Sequence, residues 1–126
     1  MSALKGKFDV GMQPQSDTDF DVGRMILDKT YHGDVLGTGK GQMLSHVTNV
    51  KGSAGYVAIE KFEGTVDGKQ GSFVLQHVGV MEKRAQTLSI SIIPDSGTDQ
   101  LTGITGTMEI DIVDGQHYYT LKYIIE

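Results

Sequence analysis

A glutamate and a histidine interrupt two otherwise apolar segments of the sequence, and they are the residues best suited to do chemistry. Glu60 lies within GYVAIEKFEGTV, and His77 lies near the end of GSFVLQHVGV, on the far side of a short turn. A carboxylate and an imidazole within reach of each other can move a proton to or from a ligand. Whether the two side chains meet depends on how the segments pair.

The turn between these segments allows their pairing to be predicted. A two-residue loop drawn from Asp67, Gly68 and Lys69 joins two antiparallel strands, whose side chains alternate between the two faces. One face then carries Tyr56, Ala58, Glu60, Phe62, Phe73, Leu75 and His77. We therefore expect Glu60 and His77 to lie inside the protein, directly opposite each other or one diagonal step apart. A one-residue bulge would invert the assignment.

The Glu60–His77 pair is the first candidate site, placed in an apolar pocket. Its expected lining residues are Tyr56, Phe62, Phe73, His117 and Tyr119. Burial should raise the pKa of Glu60, and the neighbouring imidazole would offset that shift. The pair either acts catalytically on a bound molecule or serves as a hydrogen-bonded polar pair that fixes strand register.

A second candidate catalytic residue is Asp95, in the segment PDSGTD. Ile92 and Ile93 precede it, and the pattern resembles the Asp-Ser/Thr-Gly signature of aspartic peptidases. That chemistry needs two carboxylates that share one proton. One such segment per chain would require a symmetric dimer or a second acid such as Asp99. The alternative is a proline-initiated turn at the end of a strand, for which these residues are equally typical.

The pair Asp114-Gly115 also has two interpretations. An Asp-Gly bond is prone to succinimide formation, so slow isomerisation or self-cleavage of the backbone is one hypothesis. The other is a type I′ hairpin turn, which Asp-Gly favours strongly. With a two-residue loop there, Met108, Ile110, Ile112, Tyr119, Leu121 and Tyr123 share one apolar face.

Neither a cofactor nor a metal site is expected from the remaining motifs. GTGKGQ, residues 37–42, lacks the spacing of a phosphate-binding loop and is followed by no helix. DTDFD, residues 17–21, begins like a calcium loop but lacks its glycine and its final glutamate. The histidines His32, His46, His77 and His117 are widely dispersed.

The overall composition limits the protein's class. The 126 residues fit one domain, residues 1–126, and the absence of cysteine rules out disulfides and thiolate chemistry. A net charge of −5 without a clustered basic face argues against nucleic-acid binding. No apolar run suits a signal peptide or a membrane span. The expectation is a cytoplasmic protein with no membrane partner.

The elements that must position the candidate residues are short strands. The 17 glycines and two prolines punctuate β-branched and aromatic runs, as in an all-β domain. The predicted strands cover residues 5–12, 23–32, 35–48, 55–66, 71–81, 86–93, 103–113 and 116–125. The outer face of the fourth and fifth, with Val57, Ile59, Val78 and Val80, is also apolar. It suggests cover by another subunit or by the remaining chain, and cover by another subunit would make the protein a homo-oligomer.

Several segments together resemble a known family. They are KTYHGDVLGTGKGQML, GSAGYVAIEKFEGTVDGKQGSFVLQHVG, PDSGTDQLTGITGTMEI and DGQHYYTLKY. The chain from about residue 8 to residue 123 is similar to a family of small bacterial proteins of unassigned function. The resemblance implies an antiparallel up-and-down β-barrel of about eight strands, like that of allene oxide cyclase.

The functional expectation is binding of a small apolar ligand inside this barrel. The alternative is a carboxylate-dependent enzyme, either with cyclase- or isomerase-like acid–base chemistry at Glu60 and His77 or with peptide cleavage at Asp95. A third possibility is an oligomeric scaffold without a pocket. The fold alone does not choose among these functions.

Overall fold

Eight antiparallel strands, each hydrogen-bonded to the next along the chain, close into a barrel in the computed structural model. The structure describes residues 2–16 and 20–126; residues 17–19, part of the segment DTDFD, lie outside them. The strands are β1 Ser2–Pro14, β2 Gly23–Gly33, β3 Val35–Val47, β4 Ala54–Val66, β5 Lys69–Glu82, β6 Ala85–Ile92, β7 Ile104–Val113 and β8 Gln116–Ile125. Pairing of β8 with β1 closes the sheet. The predicted all-β up-and-down barrel is confirmed.

Two-residue turns fix the register of the two hairpins predicted from the sequence. Val66 pairs with Lys69 around Asp67-Gly68, and Val113 pairs with Gln116 around Asp114-Gly115. Both residues of each turn have positive φ, near 50° for the aspartate and near 79° for the glycine. This is the conformation of a type I′ turn, whose twist matches that of the strands. The predicted sharing of faces along these strands is confirmed.

One half of the barrel, which we call the closed half, is packed with side chains. It lies toward the end marked by the Asp67-Gly68 turn. Its buried residues include Leu4, Val35, Phe62, Val66, Phe73, Leu75, Ile92, Leu101, Ile104, Leu121 and Tyr123. Fully burying one such aliphatic or aromatic side chain contributes about 1.5–3 kcal/mol. The closed half is therefore the main source of hydrophobic stabilisation.

The segment between β6 and β7 covers the closed half and replaces a strand beside β5. Ser96 Oγ accepts a hydrogen bond from the Val74 N–H at 3.0 Å, and Thr98 Oγ1 accepts one from the Ser72 N–H at 3.0 Å. A short 3₁₀ helix, Asp99–Leu101, follows and buries Leu101 completely. The backbone groups of β5 beyond the end of β6 are thus satisfied without a partner strand.

The pairing between β6 and β7 is the shortest seam of the barrel. These strands pair only at Ile90–Met108 and Ser91–Thr107. By contrast, β4 and β5 pair along their full lengths, from Ala54–Met81 to Val66–Lys69. At the end away from the closed half, β6 and β7 therefore diverge, and the barrel wall is open between them.

The outer face of β3, β4 and β5 carries exposed aliphatic side chains. Leu44, Val57 and Val78 lie side by side across the three strands, each more than 40% exposed. The predicted cover of this face by a second subunit stays a prediction. Among the residues that the structure describes, no helix is long and apolar enough to cross a membrane.

Candidate functional site

The other half of the barrel, the open half, contains a cavity of about 530 Å³. It lies toward the Lys83-Arg84 and Asp114-Gly115 turns, where β6 and β7 diverge. Its walls are formed by Phe8, Val10, Met12, Leu27, Lys29, Met43, Tyr56, His77, Gln86, Leu88, Ile110, Asp111, Ile112 and His117. A second cavity of about 290 Å³ adjoins it and shares Met43, Tyr56 and Gln86. The combination of apolar walls with a few polar groups is typical of a small-molecule site.

A larger concavity, of about 650 Å³, lies outside the barrel between the loops near Asp21 and Thr48. His46 lines it, and its Nδ1 atom is 2.7 Å from the Asp21 carbonyl oxygen. This groove contains none of the buried charged residues of the protein. We therefore take the cavity of the open half, rather than this groove, as the candidate site.

Three buried polar side chains form the floor of the cavity. Lys29 Nζ and His77 Nε2 each lie 2.9 Å from the same carboxylate oxygen, Oε1 of Glu60. The exposed fractions are 5% for Lys29, 0% for Glu60 and 3% for His77. Lys29 and His77 line the cavity, whereas Glu60 lies beneath them. We call these three residues and Tyr31, described next, the floor cluster.

Tyr31 is hydrogen-bonded to the second carboxylate oxygen of Glu60. Its hydroxyl donates a hydrogen bond to Glu60 Oε2 at 2.5 Å, from a ring that is 1% exposed. With both oxygens of Glu60 bonded to donors, the carboxylate makes three hydrogen bonds. Such charge-assisted bonds are about twice as strong as neutral ones. Glu60 is thereby held in one orientation.

Glycines of β3 make the meeting of β2 and β4 side chains possible. Lys29 and Tyr31 belong to β2 and Glu60 to β4, with β3 between them. A Cβ atom on Gly39 would lie 2.0 Å from Glu60 Oε2 and 3.1 Å from the Tyr31 ring. Because Gly39 has no side chain, the side chains of Lys29 and Tyr31 on β2 can reach Glu60 on β4 across β3. The GTGKG run is a space-making feature of the barrel interior rather than a phosphate loop.

The electrostatics of the floor cluster keep Glu60 ionised. Burial by itself would raise the pKa of Glu60, but the hydrogen bond from His77, the charge of Lys29 and the Tyr31 hydroxyl lower it to about 2. Burial raises the pKa of Tyr31 well above its usual range, and the negative charge of Glu60 adds to this shift. Burial and the charge of Glu60 also raise the pKa of Tyr56. Glu60 is therefore a fixed negative charge at neutral pH.

The hydrogen bond to Glu60 determines which nitrogen of His77 can act on a ligand. An ionised carboxylate only accepts hydrogen bonds, so His77 Nε2 carries the proton. In the neutral ring Nδ1 is then an acceptor. Nδ1 makes no hydrogen bond to the described residues, and no fully buried polar side-chain atom among them lacks a partner. Nδ1 is therefore not fully buried, and His77 is one of the residues that line the cavity.

Lys29 supplies the positive charge of the site. Besides its bond to Glu60, its ammonium group lies over the ring of Phe8, 4.9 Å from the centroid. This is the distance of a favourable cation–π contact. An ammonium group has three N–H donors and only one is used by Glu60. Lys29 can therefore donate a further hydrogen bond to a molecule in the cavity.

The structure brings together some of the residues that the sequence predicted for the site. Glu60 and His77 share the interior face and are one diagonal step apart, since Glu60 pairs with Leu75 and His77 with Ala58. Tyr56 and His117 line the cavity as expected. The His77 imidazole offsets the effect of burial on the pKa of Glu60, as predicted. Burial is the largest single influence, and the pKa falls below its usual value through His77, Lys29 and Tyr31 together.

Phe62, Phe73 and Tyr119, also expected to line the pocket, lie elsewhere. Phe62 and Phe73 stack on each other in the closed half with ring centroids 4.9 Å apart. The Tyr119 hydroxyl donates to the carbonyl of His32 at 2.8 Å and accepts from the N–H of Val35 at 2.9 Å. Its hydroxyl therefore ties β8 to the β2–β3 turn. The sequence pattern placed these rings inside correctly but could not tell at which level of the barrel they lie.

Asp95 is not brought to the floor cluster. It is exposed, with a φ of 65°, in the turn that follows β6. The Ser96 N–H donates to the Ile93 carbonyl at 3.2 Å within this turn. The segment PDSGTD therefore forms a turn at the end of a strand, which is the second of the two interpretations given above. Within residues 2–16 and 20–126, no group of three His, Cys, Asp or Glu side chains could hold a metal ion.

Lys29 and Tyr31 are functional candidates that the sequence motifs do not single out. Both lie on β2, in LDKTYHG, where Leu27, Lys29 and Tyr31 alternate with outward residues. The same alternation rule that was applied to two hairpins would have put Lys29 on the inner face. Its contact with Glu60 across β3 depends on the glycines between them. An inward lysine beside a glycine-rich strand is the signal that could have found it.

Comparisons with known proteins agree with this geometry at the level of fold. Residues 4–123 match the family described as "Protein of unknown function (DUF3224)". The chain is similar to a DUF3224-family protein of unknown function from Shewanella oneidensis MR-1, known from a crystal structure. The two are 46% identical, with a TM-score of 0.95 over 100% of this chain and 98% of that chain. No match was found among curated proteins. The chain belongs to the DUF3224 family.

Proposed function

We propose that this DUF3224 protein binds a small, mostly apolar molecule in the open half of its barrel. The observation that carries the proposal is the contrast between the walls of the cavity and its floor. Its walls are largely aliphatic and aromatic, while its floor presents a lysine ammonium and a histidine ring fixed by one buried carboxylate. Sites of this kind use the walls for affinity and the few polar groups for orientation. The volume of about 530 Å³ lies within the usual range of small-molecule pockets, about 300–1,000 Å³.

The charges of the floor cluster favour an uncharged ligand. Lys29 and Glu60 already form a buried ion pair, so their charges compensate each other. A carboxylate ligand would add a second buried negative charge, which would need His77 in its protonated form, and buried unpaired charges are costly. The exposed carboxylate of Asp111 at the rim also disfavours anions. A molecule with one polar, uncharged group needs no such compensation.

The gap between β6 and β7 offers a route to the cavity. Leu88 on β6 and Ile110 on β7 line the cavity beyond the last paired residues of the two strands. A molecule could pass between them without breaking a long ladder of hydrogen bonds. The expected likeness to the barrel of allene oxide cyclase would suit such an interior site, and it remains part of the proposal.

Acid–base catalysis is the second candidate function, and the Glu60–His77 hydrogen bond favours it. A carboxylate that orients a histidine and fixes its tautomer is a recurring arrangement in enzymes that transfer protons. Here both oxygens of Glu60 are occupied by donors, and Glu60 is fully buried. Its role in either function is to position Lys29 and His77.

Binding of the uncharged fluorescent probe N-phenyl-1-naphthylamine tests the proposed function. Its fluorescence rises when it leaves water for an apolar site, so a titration gives a dissociation constant. We expect saturable binding with one site per chain. The substitution Leu88→Glu places a charge in the cavity wall and should weaken binding by at least about tenfold, since a half-buried leucine is replaced by a carboxylate.

A matched variant distinguishes the cavity from the outer apolar face. Ile59→Glu makes the same charge change at an outward position of β4 that is 49% exposed and lines no cavity described above. This variant should bind the probe as the unmodified protein does. If Ile59→Glu weakens binding and Leu88→Glu does not, the probe sits on the outer face and the proposed function is wrong.

A further inference from the structure

We infer that the cavity acts on uncharged carbonyl compounds, with His77 Nδ1 removing a proton from the carbon next to the carbonyl while Lys29 binds the carbonyl oxygen. This inference rests on the proposed function, because the substrate must occupy the same cavity. The substrates are uncharged carbonyl compounds, and the reaction is isomerisation through an enolate. His77 and Lys29 are the catalytic residues, and Glu60 and Tyr31 are positioning residues.

The geometry supplies one acceptor and one donor that share a common anchor. His77 Nε2 and Lys29 Nζ are both 2.9 Å from Glu60 Oε1, so the two groups converge on one point beneath the cavity. In the neutral His77 ring Nδ1 is the acceptor, and Lys29 has N–H donors that Glu60 does not use. A ketone with an adjacent C–H group presents the complementary pair: an oxygen that accepts and a weakly acidic hydrogen.

The reaction balances without any further reactant. The electron pair of the C–H bond forms a carbon–carbon double bond, and the carbonyl π pair moves onto oxygen, where a Lys29 N–H stabilises the enolate. His77 becomes an imidazolium that still donates to Glu60 through Nε2. It then returns the proton to the same carbon or to the far end of a conjugated enolate. The second course moves a double bond, and nothing is oxidised or reduced.

The surroundings of Lys29 suit oxyanion stabilisation rather than attack on the carbonyl carbon. Its ammonium group pairs with the ionised Glu60 and lies over the Phe8 ring. A charged ammonium group cannot act as a nucleophile, but it stabilises negative charge that develops on oxygen. This stabilisation is larger in a site shielded from water, and Lys29 is only 5% exposed.

Exchange of carbon-bound hydrogen for deuterium tests the inference without knowledge of the natural substrate. The probe is 2-tetralone, an uncharged bicyclic ketone with acidic hydrogens beside its carbonyl. Incubated in D₂O with the full chain, it should gain deuterium faster than in buffer, as measured by mass spectrometry and proton NMR. Ligand-observed NMR of the same mixture reports binding separately from exchange.

Two histidine variants provide the matched control. Both His77 and His32 lie within hydrogen-bond distance of a carboxylate, but only His77 lines the cavity, whereas His32 Nε2 lies 3.1 Å from Asp9 Oδ2 on the outside of the barrel. His77→Asn should reduce the protein-dependent exchange rate by at least about a hundredfold, the usual contribution of a general base. His32→Asn should keep it. Lys29→Met should also reduce exchange by about a hundredfold, because the enolate oxygen loses its donor.

A control without substitution guards against variants that fail to fold. Saturating N-phenyl-1-naphthylamine should fill the cavity of the unmodified protein and return exchange to the buffer rate. Binding of 2-tetralone without faster exchange would overturn this inference and leave the proposed function standing. Binding of neither compound would overturn both. Equal loss in the two histidine variants, or a covalent adduct at Lys29 after borohydride reduction, would overturn the assigned roles.

Discussion

The closed and open halves of the barrel are built from the same eight strands but differ in how their interiors are filled. In the closed half, Phe73, Leu75 and Leu121 are at most 1% exposed and leave no cavity among those described above. In the open half, Leu88 and Ile110 are only half-buried and face a cavity of about 530 Å³. The closed half gives the protein its stability, and this allows the open half to remain unfilled.

The floor cluster lies at the boundary between the two halves. Below it, buried apolar side chains fill the interior of the barrel. Above it, the strands pair less completely, and β6 and β7 diverge. A buried ion pair contributes little stability by itself, because desolvation offsets the attraction. Its location at the boundary of a cavity therefore favours a functional role.

Truncation of one large side chain in each half should have unequal effects on stability. Phe73→Ala removes a buried ring that stacks on Phe62, and it should lower the free energy of unfolding by about 3–5 kcal/mol. Leu88→Ala removes atoms that face the cavity, and it should cost about 1 kcal/mol or less. Urea unfolding followed by circular dichroism measures both. Equal losses would show that the open half is packed like the closed half.

Removal of the anchor of the floor cluster should be nearly as costly as the loss of the phenylalanine. Glu60→Ala leaves the ammonium group of Lys29 buried without its carboxylate, at a cost of about 3–5 kcal/mol. The double variant Glu60→Met with Lys29→Met replaces both charges by apolar groups of similar length. It should be more stable than Glu60→Ala, again by urea unfolding. A double variant no more stable than Glu60→Ala would contradict the ion-pair account.

The pKa of Glu60 predicts a loss of stability in acid. Its folded-state value of about 2 lies below the ordinary value of 4.5, so its stabilising contribution is present above pH 4.5. That contribution, about 3 kcal/mol, is lost as the pH falls from 4.5 toward 2. Glu60→Gln cannot ionise and should lack this component. Unfolding curves of both proteins between pH 2 and pH 7 should therefore converge in acid.

A methyl group on β3 should disturb the floor cluster more than one on β1. Gly39→Ala places a Cβ atom 2.0 Å from Glu60 Oε2, so the carboxylate must move away from Tyr31. Overpacking of this kind costs about 1–3 kcal/mol. At Gly11 the nearest atom is 3.9 Å from the new Cβ, and Gly11→Ala should be nearly neutral. Thermal unfolding of the two variants compares them, and equal shifts would contradict the space-making role of Gly39.

The smallest expected effect is in local motion rather than global stability. Amide groups of residues 85–89 on β6 pair only with β5, because β6 meets β7 only at Ile90 and Ser91. They should open locally and exchange hydrogen faster than amides of β4, which pairs on both sides. Hydrogen exchange with mass spectrometry measures this difference. Equal protection along β6 and β4 would contradict the open seam.

The sequence predicted the local parts of this architecture well. Turn residues fixed two hairpin registers, and alternation then placed Glu60 and His77 on one inner face. It did not predict the contacts of Lys29 and Tyr31 with Glu60, because these cross a third strand and depend on barrel closure. It also could not separate the closed from the open half, since Phe62, Phe73 and Tyr56 have the same inward alternation. The level of a residue along the barrel is set by strand stagger, which no short pattern encodes.

Methyl NMR during a titration with N-phenyl-1-naphthylamine tests the central claim most directly. We expect the chemical shifts to change for methyl groups of Val10, Leu27, Leu88 and Ile110, which line the cavity of the open half. Those of Leu75, Ile104 and Leu121 in the closed half should stay unchanged. Changes centred instead on Val57 and Val78, on the outer face, would contradict the claim that the open half is a binding site.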